Sequence, residues 1–340
     1  MNMHSRKFSI KHIAAQAAVS NATVDRVINN RSGVGAYTAR RVFNAINELE
    51  EQSKTTTLTV KKVYIDIILN TPSCYSNLIK KAVLSVLPSI KPNNISPRFH
   101  FFENETPNTI AQNIDRITRN GTHGLIIKTT DDYQIRAAID NTCSENIPVM
   151  TFCADIRRSK RTKHIGIDNY SAGQSAAYLL GNCLKSECET ILVSISNPNF
   201  LNEAEREMGF RQVIRKHYPK AQIHTVTGGL GLYNNTYEQT EKYLVNNGSA
   251  HSVYSVGGAN HAILDAFEKY DQAINYFIGH DLDGINKKLL KERKIQVVLD
   301  HDLETDLEHA FRHTLRFHSQ SNDDENAPQG RFNIITPYNI

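Results

Sequence analysis

Apolar and polar positions follow two different periods along the chain. Near its beginning, Ile10, Ile13, Ala14 and Ala17 recur three and four positions apart, a spacing that places them on one face of a helix. From Val63 onward, short apolar runs typical of buried strands alternate with stretches of helical periodicity. The first pattern predicts a small all-α head, and the second predicts a larger α/β body.

Three helices are predicted in the head. Ser9 caps the first, Ile10–Ala17, and Ser20 caps the second, which ends near Asn29. The third covers Ala36–Glu51 and completes a small apolar core. Two short helices joined by a tight turn suit insertion of the second into the major groove of DNA, which is ~12 Å wide. A three-helix module that binds some other partner is the alternative on pattern alone.

The body divides into two series of strands separated by helices. The first series has strands at Val63–Leu69, Arg98–Glu103, Gly124–Lys128 and Val149–Phe152, with helices at Ser76–Leu87, Asn108–Asn120 and Tyr133–Asn146. The second series follows a strand at His164–Ile167 and has strands at Thr190–Ser194, Gln222–Thr227, Ser252–Val256, Ile274–Ile278 and Gln296–Leu299, with helices at Ser171–Leu184, Glu203–His217, Tyr237–Asn247, His261–Lys269 and Gly284–Lys291. Strands separated in this way indicate doubly wound parallel sheets, so the expected fold class is α/β, with two lobes behind the all-α head.

Composition narrows the class of protein further. The chain has 340 residues, enough for roughly two domains. No apolar run approaches the ~18 residues that span a bilayer, and the opening MNMHSRKFSIKH lacks the apolar stretch of a secretory signal, so we expect a cytoplasmic protein with no membrane partner. The five cysteines form no CxxC pair, and neither a disulfide framework nor a metal site is expected.

Charge is distributed unevenly along the chain. Residues 1–62 contain ten Lys or Arg against four Asp or Glu, a net charge of +6, which leaves −2 for the rest of a chain whose total is +4. A basic head on a mildly acidic body is typical of a nucleic-acid reader attached to a domain with another task. A solvated basic arm without a partner is the alternative on charge alone.

Two stretches of the head carry a specific motif: IKHIAAQAAVSNATVDRVIN at residues 10–29 and VGAYTARRVFNAINEL at residues 34–49. They resemble the DNA-binding domain of the LacI/GalR family of bacterial transcription regulators. The resemblance implies that the partner is a near-palindromic operator in double-stranded DNA. It implies base contacts by Asn21, Ala22 and Arg26, with Asp25 on the same face, and phosphate contacts by Ser9, Lys11, Ser20, Thr23 and Asn29.

Three departures from that family pattern matter. Gly35 stands where the family has a serine that caps the third helix, a tolerable change because glycine caps nearly as well. Asp25 stands where the family has serine, and its carboxylate could accept a hydrogen bond from a cytosine amino group, repel phosphate or pair with a neighbouring arginine that contacts a base. The family's hinge helix, with its Pro-Asn and Ala-x-x-Leu elements, is not recognisable in EEQSKTTTLT at residues 50–59. Because β-branched threonine disfavours helix, we expect a flexible linker at 53–62, between a DNA-binding domain at 1–52 and a ligand-binding and dimerisation domain at 63–340.

The body has its own candidate site, since ligands of open α/β sheets bind at the carboxyl ends of the strands and two facing lobes form a cleft there. The strand exits carry Asn, Asp, His and Tyr side chains that could bind hydroxyl groups, although each taken alone is more often a turn or helix cap.

Four stretches of the body carry a second resemblance: HIGIDNYSAG at 164–173, EREMGFR at 205–211, VYSVGGAN at 253–260 and IGHD at 278–281. They resemble the sugar-binding domain of the same regulators and of the periplasmic pentose- and hexose-binding proteins of type I. The resemblance implies a small polyhydroxylated effector, with Arg206 bridging its ring and exocyclic oxygens and Asp281 accepting a pair of hydroxyls. It implies further contacts from Tyr75, Asp131, Asp132, Asp155, Asn260 and His301. Cys74-Tyr75 and His301 stand where the family has two aromatics and a glutamine, so the effector need not be a familiar pentose.

Together the resemblances predict a transcription regulator, and more narrowly a repressor, that is a homodimer, with a tetramer as the alternative. Its operator affinity would be controlled allosterically by the effector. The rivals are a sugar-binding protein of a transport system, a sugar sensor with a degenerate DNA-binding head, and a DNA-binding enzyme. The sequence has no HExxH, GxSxG or Walker A motif, so we expect no catalytic residue, metal or cofactor.

Overall fold

The computed structural model describes residues 8–29, 31–56, 62–90, 94–186, 188–319 and 330–340, with the backbone alone at 50–56. The chain forms two compact units, Met1–Lys61 and Lys62–Ile340. Among the described residues, no helix is both long and apolar enough to cross a membrane.

The first unit contains α1 (Ile10–Ala17), α2 (Asn21–Ile28) and α3 (Ala36–Thr56). Both predicted caps are confirmed. The Ser9 hydroxyl accepts a hydrogen bond from the His12 N–H at 3.3 Å, and the Ser20 hydroxyl accepts one from the Thr23 N–H at 3.1 Å. Each cap satisfies a backbone donor that the first turn of a helix leaves open, which fixes where α1 and α2 begin.

A small apolar core holds these helices together. Ile13, Val24 and Val42, one from each helix, are almost completely buried against one another. The Arg41 guanidinium donates to the Ala17 carbonyl at 2.8 Å and so satisfies one of the open acceptors at the end of α1. The packing fixes which face of α2 points outward.

The third helix is longer than predicted. It continues to Thr56 rather than ending at Glu51, so residues 53–56 of the predicted flexible linker are helical. Glutamate, glutamine and lysine at 50–54 are good helix formers, and neither Gly nor Pro interrupts them, which outweighs the weak propensity of Thr. Residues 57–61 of the linker lie outside the described residues.

The second unit begins with a lobe built on a parallel sheet. Its strands are β1 Val63–Asn70, β2 Ile95–Phe102, β3 Gly124–Lys128, β4 Val149–Phe152 and β5 Lys163–Ile165, and its helices are α4 Ser73–Val86, α5 Pro107–Arg119 and α6 Tyr133–Ser144, with a 3-10 turn at Leu87–Ser89. The strand order is β2-β1-β3-β4-β5. Every residue of β3 is buried, as expected for a strand with helices on both faces.

The second lobe has the same layered construction. Its strands are β6 Thr190–Ser194, β7 Gln222–Val226, β8 Ser252–Ser255, β9 Tyr276–His280, β10 Val297–His301 and β11 Phe332–Ile335, and its helices are α7 Asn169–Gly181, α8 Leu201–His217, α9 Tyr233–Asn247, α10 Asn260–Lys269 and α11 Gly284–Lys291. The order is β11-β10-β9-β8-β6-β7, parallel except for β11. Helices α7 and α8 cover one face of the sheet, and α9, α10 and α11 cover the other. The predicted α/β class with two lobes is confirmed.

Two features of the connections go beyond the prediction. The strand predicted at His164–Ile167, which belongs to neither predicted series, is β5 (Lys163–Ile165) at the edge of the first sheet. Helix α12 (Leu303–Ser319) and strand β11 were not predicted from the sequence. Helix α12 follows β10 of the second lobe but packs in the core of the first, through Leu307 and Phe311. Strand β11 then returns to the second sheet.

The passages between the lobes lie side by side. The Gly330 N–H donates to the Gly166 carbonyl at 3.1 Å, and the Asp302 N–H donates to the Arg331 carbonyl at 3.2 Å. A side chain at position 330 would meet the Asp306 carboxylate at 2.6 Å, so glycine is required for this close approach. These hydrogen bonds tie together the chain segments that connect the two lobes, a region we call the hinge.

Candidate functional site

The outward face of α2 is the candidate DNA-reading surface of the head. Val24 and Val27 point into the core, and the predicted base contacts Asn21, Ala22 and Arg26 are exposed. Of the predicted phosphate contacts, Ser9, Lys11, Ser20 and Asn29 are exposed and Thr23 is half-buried. The predicted DNA contacts therefore lie at the surface, on α2, at its C-terminal end (Asn29) or at the starts of α1 and α2. Helix starts favour phosphate, because their free N–H groups and the helix dipole attract anions.

The structure shows which side chains the Asp25 carboxylate contacts within the head. Its carboxylate accepts hydrogen bonds from Asn29 at 2.8 Å and from the Arg31 guanidinium at 2.9 Å. Asp25 thus pairs with an arginine of the following loop, and Arg26 makes no side-chain hydrogen bond to a described residue. The ion pair offsets the negative charge that Asp25 would otherwise bring close to phosphate.

In the body, a cavity of about 70 Å³ lies between the lobes, at the carboxyl ends of both sheets. Three of the predicted ligand contacts line it: Tyr75 from the first lobe, and Arg206 and Asp281 from the second. The charged or amide side chains that line it are those of Lys128, Asn202, Glu203, Arg206, Asp281, Asp283 and Asn286.

Arg206 is buried and held rigidly. Its Nε donates to the Asn169 side-chain oxygen at 2.9 Å, and its Nη1 donates to the Val256 carbonyl at 3.3 Å. These bonds leave the Nη2 end of the guanidinium available to the cavity. A fork of donors fixed in this way suits the adjacent oxygens of a sugar.

The motif around Arg206 has a packing reason. A side-chain carbon at Gly209 would lie 2.1 Å from the Tyr170 carbonyl, so only glycine lets α8 approach α7 this closely. Phe210 is fully buried and stacks on Tyr254, with ring centroids 4.5 Å apart. The R-x-x-G-F element thus carries one residue that lines the cavity and two residues that position its helix.

Asp281 directly follows β9 and has a left-handed backbone conformation, φ 64°. Its N–H donates to the Leu299 carbonyl at 3.1 Å, and its own carbonyl accepts from the Asn286 amide at 2.8 Å. No described residue hydrogen-bonds to its carboxylate. Aspartate tolerates this conformation better than bulkier residues do, and the strained turn aims a free carboxylate into the cavity.

Lys128, at the end of β3, was missed as a site residue. Only 8% of its surface is exposed, and its ammonium lies 3.6 Å from the centroid of the Tyr75 ring. Burial lowers the pKa of Lys128, and the nearby Cys153 and Asp281 partly oppose this shift. Its position at the end of a strand could have identified it. It was missed because Asp131 and Asp132, a few residues further on, were chosen as the ligand contacts of that strand end.

Asn202 and Glu203, at the start of α8, were also missed. The Asn202 side-chain oxygen is buried and has no hydrogen-bond partner among the described residues. Glu203 accepts from the Ser196 N–H at 2.8 Å and from the Ser196 hydroxyl at 2.5 Å. Burial raises the pKa of Glu203 despite these bonds. No motif signalled either residue.

Tyr75 lines the cavity from the first lobe and contacts Cys153 and Lys128. Its hydroxyl donates to the Cys153 sulfur at 3.2 Å, and the Lys128 ammonium covers one face of its ring. Burial raises the pKa of Tyr75 well above its usual value, so the hydroxyl keeps the proton that it donates. Tyr75 thus lines the cavity with one face of its ring covered by Lys128.

The other predicted ligand contacts do not line the cavity. Asp131 pairs with Arg136 at 2.7 Å, Asp132 caps α6, Asp155 pairs with Arg161, and Asn260 donates to Asn286 at 2.8 Å behind the cavity wall. The three aspartates therefore form a helix cap or a local ion pair, and Asn260 hydrogen-bonds to another amide side chain.

His301 also lies behind the wall, beside the hinge. Its Nε2 is 2.6 Å from the Asp306 carboxylate, and its Nδ1 is 3.4 Å from the Cys153 sulfur. Burial by itself lowers the pKa of His301, but Cys153 and the hydrogen bond with Asp306 outweigh it and raise the pKa to about 10. The imidazole links β10 of the second lobe to α12 and β4 of the first.

A two-lobe cleft of this kind defines a ligand-binding protein, and the helical head adds a DNA-binding element. Residues 93–304 match the profile of the periplasmic binding protein domain, and residues 9–50 match that of the bacterial regulatory proteins of the lacI family. The chain belongs to the periplasmic binding protein domain family, and with its head it is a DNA-binding regulator of the lacI family.

Solved structures share the fold of the body. GanP, a glucose-galactose binding protein from Geobacillus stearothermophilus, has a TM-score of 0.72 at 14% identity, covering 82% of this chain and 99% of that chain. AraP, an arabinose binding protein from the same organism, has a TM-score of 0.66 at 20% identity, covering 82% and 98%. A Bacteroides fragilis structure described as a candidate LacI transcriptional regulator has a TM-score of 0.71 at 15% identity, covering 82% and 98%. A sequence search of curated proteins finds no match.

Proposed function

We propose that the protein is a cytoplasmic transcription repressor, a homodimer whose two heads bind a near-palindromic operator, and that a small polyhydroxylated effector in the cleft controls its DNA affinity. The observation that carries the effector site is the convergence of Arg206, Asp281 and Asn202 on one cavity, with hydrogen-bonding groups that no described residue uses. The cytoplasm is proposed because a lacI-type head acts on chromosomal DNA.

The cleft chemistry suits hydroxyl groups. The free end of Arg206 donates to ring or hydroxyl oxygens, and the Asp281 carboxylate accepts from a pair of hydroxyls. The buried Asn202 oxygen needs a donor, which a ligand hydroxyl supplies. An enzyme would need a nucleophile or an acid–base pair at the reacting bond, and no such role is needed to account for these residues.

We infer that a ligand controls DNA binding through the arrangement of the two lobes. Lys128 belongs to the first lobe and Arg206 to the second, so a ligand that contacts both favours one arrangement of the lobes. In a dimer, that arrangement sets the spacing of two heads that must meet half-sites about 34 Å apart. Such coupling is typically ~1–3 kcal/mol, or 5–150-fold in affinity.

The DNA part is tested by fluorescence anisotropy on fragments from the protein's own promoter region. Arg26→Ala should lower specific affinity by about 10-fold or more, because it removes an exposed side chain from the reading face. Arg215→Ala, an exposed arginine of α8, is the matched control and should change nothing. If wild-type protein shows no salt-dependent binding to these fragments, the regulator proposal fails and a sensor with a degenerate head takes its place.

The effector part is tested by isothermal titration with sugars, polyols and sugar acids. Asp281→Asn should weaken any binder about 10-fold or more, because a charged acceptor of two hydroxyls is lost. Glu268→Gln, an exposed carboxylate of α10, should bind like wild type. A binder unaffected by Asp281→Asn would place the effector site outside this cleft.

A further inference from the structure

The cleft contains two buried cations that face each other across the lobes. Lys128 is 92% buried, and its ammonium makes no hydrogen bond to a described residue, only ring contacts with Tyr75 at 3.6 Å and Phe200 at 6.0 Å. The Nη2 end of Arg206 is likewise without an acceptor. A buried ammonium without a hydrogen-bond acceptor is costly, so a partner for it is expected.

The three carboxylates that line the cavity differ in whether a described residue already hydrogen-bonds to them. Glu203 is already used by the Ser196 N–H and hydroxyl, and Asp283 caps α11 by accepting from the Asn286 N–H at 2.7 Å. Asp281 is the carboxylate of the described lining that no described residue engages. The open groups are therefore two cationic donors against one anionic acceptor and the Asn202 oxygen.

From this imbalance we infer that the cleft selects a polyhydroxylated ligand that also carries an oxyanion, a carboxylate or a phosphate, seated between Lys128 and Arg206. Its hydroxyls are bound by Asp281 and Asn202. The inference rests on the proposed function and specifies the ligand class. An oxyanion would relieve the repulsion between the two cations and, because they come from opposite lobes, would draw the lobes together.

The test uses the full-length protein and matched sugars that differ in charge at one carbon: D-glucose, D-glucuronate and D-glucose 6-phosphate, with the corresponding galactose and mannose series. Isothermal titration gives each affinity. At least one acidic compound should bind about 10- to 150-fold more tightly than its neutral partner, the effect expected of a charge-assisted contact. The carboxylate and phosphate arms show which oxyanion the cleft takes.

Lys128→Gln keeps a hydrogen-bonding side chain and removes the charge. It should lower affinity for the acidic compound about 10- to 150-fold and lower affinity for the neutral partner by a factor at least threefold smaller. Lys216→Gln, an exposed lysine of α8, is the matched control. Asp281→Asn should weaken acidic and neutral compounds alike, because it acts on hydroxyls. Thermal unfolding of each variant checks that it is folded.

Several outcomes would overturn the inference. A neutral sugar that binds as tightly as its acidic partners, or acidic binding that Lys128→Gln leaves within threefold, would show that the cations do not select charge. Either result leaves the proposed regulator intact, because a neutral effector would still occupy the cleft. Absence of any acidic binder in the three series also contradicts the inference, and the DNA-binding assay judges the proposed function separately.

Discussion

His301 has a charge state that depends on its neighbours. Buried between Asp306 and Cys153, it has a pKa raised to about 10, against ~6.5 for an exposed histidine. The folded protein therefore binds this proton more tightly than the unfolded chain does. The resulting stability is fully present below pH ~6.5 and is lost as the pH rises towards 10.

His301→Gln should accordingly destabilise the body by about 3–5 kcal/mol at pH 6, because it leaves the buried Asp306 carboxylate without its charged partner. The loss should shrink as the pH rises above ~6.5, and urea unfolding monitored at several pH values measures it. His217→Gln, at the exposed end of α8, should show neither effect. A destabilisation that does not change with pH would indicate that His301 is neutral in the folded protein.

The ion pair between Asp25 and Arg31 leads to a second prediction at the scale of single residues. Asp25→Asn removes a negative charge from the reading face and releases Arg31 from its 2.9 Å ion pair. DNA affinity should rise about two- to tenfold at low salt, and the logarithmic salt dependence should steepen by about 0.9 if Arg31 then contacts phosphate. Anisotropy titrations at several salt concentrations measure both quantities.

Glu268→Gln is the control for Asp25→Asn, since it removes an equal charge from the surface of the body. A loss of affinity that depends on one base pair of the operator would instead show that Asp25 accepts a hydrogen bond from a base.

The site residues could be predicted only in part. Arg206 and Asp281 belong to stretches whose local sequence sets their surroundings, a close-packed helix and a left-handed turn. Asp132 and Asp155 follow strands just as directly, yet they form a helix cap and an ion pair. Polar residues after a strand suit both roles, and the choice depends on contacts with residues distant in the sequence.

At the scale of elements, the pairing of α7 and α8 sets the position of Arg206. Gly209→Ala would place a carbon 2.1 Å from the Tyr170 carbonyl and force the helices apart. We expect a loss of about 1–3 kcal/mol in the free energy of unfolding and weaker effector binding, because Arg206 lies one turn earlier on the same helix. Urea unfolding and isothermal titration measure these two effects.

Gly284→Ala is the matched control, because Gly284 has open space around it and begins α11. It should leave both the free energy of unfolding and effector affinity close to those of wild type. Equal effects from the two glycine substitutions would contradict the role assigned to the α7–α8 contact.

Most elements followed from local periodicity, and several boundaries were predicted without error, including β3, β4, β6, α1 and α11. The end of α3 at Thr56 was not predicted, because β-branched threonine disfavours helix only weakly against its neighbours. Helix α12 has an amphipathic pattern, but nothing local shows that it leaves its own lobe to pack on the other.

At the scale of the whole molecule, the proposed coupling must act in both directions. If the effector changes operator affinity by some factor, the operator must change effector affinity by the same factor, expected to be 5–150-fold. Isothermal titration of the effector with and without saturating operator DNA measures one side, and anisotropy measures the other. A scrambled DNA duplex of equal length is the control. Effector affinity that is the same with and without saturating operator would contradict the proposed coupling.

Much of this protein was determined by its sequence alone: the capped helices of the head, the outward face of α2, the alternation of strands and helices, and the motifs that mark Arg206 and Asp281. Helix caps and hydrophobic periods act over a few residues, so they can be read from a short stretch of sequence. Only the tertiary structure decided that Lys128 and Asn202 line the cleft, that His301 lies behind it, and that α12 crosses between lobes. Those outcomes depend on which strand ends the two sheets bring together, and that is set by packing between residues far apart in the chain.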